Sequence, residues 1–132
     1  MRIAVWYSEY GLPDSRFVLP YRSQSPSLFK KIEFNTKKDI YNEIERLLNE
    51  KGTIKYGVGQ SLFLQMPFFC NPSEFIPEWC WDMINDFRMC KDFNIPLAKD
   101  LDSLNVWVMD SFNIIKQEIN NITIYQKKTN GN

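Results

Sequence analysis

The chain has 132 residues, 16 basic and 16 acidic side chains, no histidine, and an aromatic share of 15%. Its apolar share of 44% and charged share of 24% exclude the disordered and disulfide-scaffold classes, and the length is most simply one domain, 1–132. Zero net charge gives no bulk attraction to nucleic acid, and no run approaches the roughly 18 apolar residues of a membrane span.

In chain order, residues 2–8 alternate Ile3, Val5 and Tyr7 against Arg2, Ala4, Trp6 and Ser8, the pattern of a central strand with both faces partly apolar. Gly11, Pro13 and Asp14 mark a turn. Residues 16–21 are rich in β-formers, with Pro20 confining the end of that strand to an edge, and 23–27 read as a polar loop. A strand over 28–34 ends in clean alternation, Ile32 and Phe34 against Lys31 and Glu33.

Thr36 and Asp39 then open a helix in the manner of a capping box, and Gly52 is the expected stop. Ile40, Tyr41, Ile44, Leu47 and Leu48 form its apolar stripe. Two strands, 53–58 and 61–66, are expected next, with Gly59 and Gln60 between them. Pro77 fits the first turn of a helix over 77–93. Another helix follows Pro96, broken near Asp102 and Ser103, with Leu97, Leu101, Leu104, Trp107, Val108, Ile115 and Ile119 on one stripe. Residues 122–126 are expected as a last strand, and 125–132 as a polar, partly flexible tail. This order predicts an α+β domain, a mainly antiparallel sheet with about three helices packed on one face.

The absence of histidine removes the Ser-His-Asp and Cys-His arrangements and the commonest zinc ligand. Cys70, Cys80 and Cys90 recur every ten residues but lack the close pairs of a zinc site, so no metal or other cofactor is expected. Cys80 and Cys90 share one helix face with Met83, Ile84 and Phe87, where free cysteine acts as a small buried hydrophobe. Cys70 or Cys80, near a helix start, is the candidate for a lowered thiolate pKa. Gly57-Val58-Gly59 lacks the rest of a phosphate loop and reads as a hairpin turn. The odd cysteine count, with no apolar run long enough for a signal sequence, points to a reducing, cytoplasmic setting, where the sequon Asn121-Ile122-Thr123 has no role.

Charge is uneven along the chain. Residues 1–60 carry ten Lys/Arg against seven Asp/Glu, a balance of +3, and 61–118 carry four against nine, a balance of −5. Glu74, Glu78, Asp82 and Asp86 are spaced by four, and like charges at i,i+4 destabilise an isolated helix by about 0.2–0.5 kcal/mol per pair. Helical geometry places Glu78, Asp82 and Asp86 opposite the cysteine stripe, with Met89 and Phe93 near them and Trp79 and Trp81 flanking the stripe. An acidic face with aromatic and methionine anchors has the composition of a surface that meets a basic protein. A plain solvated face is the competing reading.

The expected function is therefore that of a non-catalytic binding protein. Small immunity proteins and phage-encoded inhibitors resemble it in size and composition. The alternative is a single-strand nucleic-acid module using Arg16, Arg22, Lys30, Lys31, Lys37 and Lys38, interleaved with Phe17, Tyr21, Phe29 and Phe34. A histidine-independent enzyme comes third. No membrane partner is expected, nucleic acid is disfavoured, and self-association is compatible with the composition.

Overall fold

The computed structural model describes residues 1–14, 16–100 and 102–130. The architecture is mixed, with helices dominating. Helices α1 (Arg2–Tyr10), α2 (Lys37–Leu48), α3 (Lys51–Tyr56), α4 (Val58–Gln65), α5 (Glu78–Asp92) and α6 (Val106–Asn130) accompany one two-stranded antiparallel sheet, β1 (Tyr21–Ser25) and β2 (Lys30–Phe34). The α+β expectation holds coarsely. The broad sheet with about three helices does not, because most of the expected strands are helical. The described chain forms two compact units, Met1–Glu9 with Ile76–Asn132, and Tyr10–Phe75. Among the described residues no helix is long and apolar enough to cross a membrane.

In the Tyr10–Phe75 unit the hairpin pairs Tyr21 with Phe34 and Ser25 with Lys30. Strand β2 lies inside the expected 28–34 segment, but 16–20 is not strand, and Ser23–Ser25, expected as loop, completes β1. The chain enters α2 as its sequence dictates. The Asp39 carboxylate accepts from the Asn35 and Thr36 backbone N–H groups at 2.9 and 3.2 Å, and those two bonds hold the Asp39 carboxyl below its ordinary range. The buried positions of α2 are Ile40, Glu43 and Leu47. Ile44 is half-buried, and Tyr41 and Leu48 are exposed, so the inward stripe is rotated from the expected one.

Gly52 does not stop α2, which ends at Leu48, and it lies inside α3. The expected strands 53–58 and 61–66 are α3 and α4. Gly57, at φ +91°, ends the first and starts the second, a conformation that costs a residue without Cβ little. Thr53 is buried there, and its hydroxyl donates to the Leu47 carbonyl at 2.5 Å. Ile54, Tyr56 and Val58, whose alternation suggested a strand, are all exposed, Ile54 at 78%. The inward positions are instead Gly59, Ser61, Leu62 and Met66, two of them small residues that hydropathy does not flag. An aromatic row joins hairpin to helices: Tyr21 stacks on Phe34 at 5.3 Å and Phe34 on Phe69 at 5.9 Å.

In the other unit, 2–8 is α1 and not a strand. Ala4, Val5, Trp6 and Tyr7 are consecutive and all buried, as in a helix with apolar residues all round. Such a run does not separate strand from buried helix by periodicity. Helix α5 buries Cys80, Met83 and Ile84, and α6 buries Ser111, Ile115, Glu118 and Ile122. Residues 122–126, expected as a strand, and 125–130, expected as a tail, are the last turns of α6. Leu97 and Leu104 precede α6, and Leu101 lies outside the described residues.

Two buried carboxylates anchor the units. Glu118 accepts from Arg2 Nη1 at 2.6 Å and from Trp6 Nε1 at 3.1 Å. Glu43, with no exposed surface, accepts from the Ser25 hydroxyl at 2.8 Å, from the Ser27 hydroxyl at 2.8 Å and N–H at 2.9 Å, and from the Arg46 guanidinium.

Candidate functional site

Helix α5 owes its outer face to a simple division of residues. With Cys80, Met83 and Ile84 turned inward, Glu78, Asp82 and Asp86 are exposed on the opposite side. Met89 and Trp79 are also exposed, Phe93 is 65% exposed, and Trp81 is half-buried. Among the described residues no ion pair neutralises Glu78, Asp82 or Asp86, the ion pairs being Arg2–Glu118 and Arg46–Glu43. Glu74 does not extend this line. It lies in a 3₁₀ turn, Pro72–Phe75, of the Tyr10–Phe75 unit.

The structure adds a residue that the sequence placed in a core stripe. Trp107, in the first turn of α6, is 54% exposed, and its ring sits 5.2 Å from that of Trp79 at 52°. Val106 beside it is exposed as well. The Trp79–Trp107 pair therefore gives the acidic face a two-ring apolar platform contributed by both helices. Both the exposure of Trp107 and the pairing come from the structure, since tryptophan at a helical apolar position reads as core.

Helix α5 ends in a left-handed cap. Asn94 has φ +53°, and the Ile95 N–H donates to the Cys90 carbonyl at 3.0 Å, the six-to-one bond of a Schellman motif. Asparagine tolerates that conformation better than most side chains. The turn brings Ile95 back beside the last turn of α5.

The thiols divide by burial. Cys70 and Cys80 have no exposed surface, whereas Cys90 is partly exposed. Cys70, one of the two candidates for a lowered thiolate, is shifted the other way: burial, reinforced by the Glu74 charge, pushes that thiol up to about 12. Tyr21, whose hydroxyl donates to the Phe69 carbonyl, is raised by burial and by the same neighbours, Cys70 and Glu74. Among the described residues no group of three His, Cys, Asp or Glu side chains is placed to hold a metal ion. In the native protein, N-ethylmaleimide at about pH 8 should modify Cys90 well before Cys70 or Cys80. Peptide mapping by mass spectrometry checks this, and prompt modification of Cys70 would contradict its burial.

The basic set of the alternative reading is also on the surface. Arg16 is exposed ahead of β1, Arg22 lies on β1 opposite Glu33, Lys30 and Lys31 are on β2, and Lys37 and Lys38 open α2. The aromatics expected beside them are divided. Tyr21 packs against both Phe17, at 4.9 Å, and Phe34, and of the four only Phe29 is fully presented, at 83% exposure. Phe29 has φ +57° at the hairpin tip, where its N–H donates to the Ser25 carbonyl at 2.9 Å. The Ser25 hydroxyl also accepts from the Leu28 N–H at 3.1 Å, so Glu43 clamps the turn that displays Phe29. A strand-tracking groove uses successive aromatic platforms, and this hairpin offers one.

In comparison with known proteins, no family model, curated protein or solved structure matches this chain.

Proposed function

We propose that this chain is a small non-catalytic protein-binding factor, of the inhibitor or immunity type, that covers a basic surface of its partner with the outer face of α5. The observation that carries this reading is the exposed Trp79–Trp107 pair set among the unneutralised Glu78, Asp82 and Asp86. Aromatic anchors bordered by charge are the composition of binding hot spots. The charges speed encounter and reject partners of the wrong sign, while Trp79, Trp107, Met89 and Phe93 supply area that holds the complex.

Affinity capture from the native host supplies the partner, and titration calorimetry then compares wild type with Asp82→Lys/Asp86→Lys. The melting temperature should be unchanged, because both side chains are exposed and, among the described residues, neither is in an ion pair. Affinity should fall at least about a hundredfold, since like charges brought together at an interface cost several kcal/mol. Equal affinities would place the interface elsewhere. The second reading, single-strand nucleic-acid binding by the Lys30–Lys31 hairpin, rests on the exposure of Phe29. Salt-sensitive retention on an oligonucleotide, lost in Phe29→Ala, would favour it.

A further inference from the structure

We infer that the groove between α5 and α6 is a binding site for a dissolved single-chain amphiphile with an anionic head, such as a medium-chain carboxylate. The groove holds about 380 Å³, which falls at the small end of the range for ligand sites. Its base is Phe87 from α5 and Phe112 from α6, packed edge to face at 5.4 Å, with Ile119 beside them. Ile95, returned by the Asn94 cap, and Leu97 form the wall.

Its charge is of one sign. Lys91 lies four residues after Phe87, and Lys116 four after Phe112, so each helix sets an ammonium one turn beyond its ring. No carboxylate lines the groove, and among the described residues neither lysine is in an ion pair. An apolar trough bearing two unpaired cations suits a ligand with an apolar body and a negative end. A cationic or uncharged chain satisfies only half of it. The groove is separate from the Trp79–Trp107 platform, so the inference does not depend on the proposed partner.

Cys90 lines the same groove and is partly exposed, while Cys70 and Cys80 are buried, so it serves as a built-in reporter. The rate of Cys90 modification by N-ethylmaleimide, an uncharged reagent, is measured with decanoate below its micelle concentration, with decyltrimethylammonium, and with anionic vesicles. Decanoate should slow the reaction saturably, about tenfold at ten times its Kd, and the cation should not. In Lys91→Glu/Lys116→Glu, which changes only exposed side chains, decanoate protection should vanish and the cation should now protect. Four results would each overturn the inference. They are no protection by decanoate, equal protection by both amphiphiles, protection by vesicles alone, or protection that rises with protein concentration in the absence of amphiphile, which would mean a second copy covers the groove.

Discussion

Replacing Glu43 with alanine should cost about 3 kcal/mol of folding stability, because several donors lose one charged acceptor at about 1–3 kcal/mol for each left unsatisfied, while Arg46, 38% exposed, regains water. The loss goes beyond the Arg46 ion pair. Without the carboxylate, the Ser25 and Ser27 hydroxyls and the Ser27 N–H lose their shared acceptor, and each buried polar group left unsatisfied carries its own desolvation cost. Urea denaturation at neutral pH measures the change. A loss below about 1 kcal/mol would mean that water replaces the carboxylate readily and that the clamp on the hairpin is loose.

The same residue gives a pH dependence. Burial raises the Glu43 carboxyl, but the Ser27 N–H, the Ser27 and Ser25 hydroxyls and Arg46 outweigh it and leave the carboxyl below its ordinary value of 4.5. The folded state therefore binds that proton less tightly than the unfolded chain. Its stabilisation is complete above the unfolded value and is lost as pH falls through the folded one. Glu43→Gln should be much less stable than wild type at neutral pH, with the gap closing as the medium is acidified. A gap independent of pH would assign the effect to shape and not to charge.

Trp6→Ala should cost about 3–5 kcal/mol, the usual range for truncating a buried tryptophan. Trp6 has no exposed surface, its Nε1–H donates to Glu118 at 3.1 Å, and its ring meets that of Tyr125 edge-on at 5.4 Å. The substitution opens a cavity and removes one donor from a carboxylate that is itself buried. Natural domains carry only about 5–15 kcal/mol in total, so this variant should melt far below wild type. Trp6→Phe removes the Nε1–H donor with a smaller part of the ring and should lose less, about 1–3 kcal/mol. If both variants melt like wild type, α1 does not share a core with α6.

What could be read from the sequence follows from where each stabilising interaction lies. Helix α2 was legible because Asp39 caps it from three residues away, and α5 because charged and apolar residues alternate at helical spacing. Helices α1, α3 and α4 were not. Each is a run of nine residues or fewer in which local pattern is weak and packing decides the backbone. The exposure of Glu78, Asp82 and Asp86 was readable for the same reason as α5. The Trp79–Trp107 pair was not, since it joins residues on two helices. Glu43 and Glu118 were invisible as anchors because their partners lie up to 18 and 116 positions away, and sequence spacing carries no trace of such bonds.

The chain order of the two units has a consequence for synthesis. Residues Tyr10–Phe75 form one contiguous stretch, whereas the other unit is split into a first segment and a last one. Trp6 leaves the ribosome 112 residues before Glu118, its hydrogen-bond partner. At about 5–20 residues per second that interval is roughly 6–22 s. Throughout it α1 has no α6 to pack on, and Ala4, Val5, Trp6 and Tyr7 must wait for burial. The contiguous unit can fold while the chain is still growing. The split one closes only after α6 has been made, and its apolar helix α1 is the segment that a nascent-chain chaperone would meet.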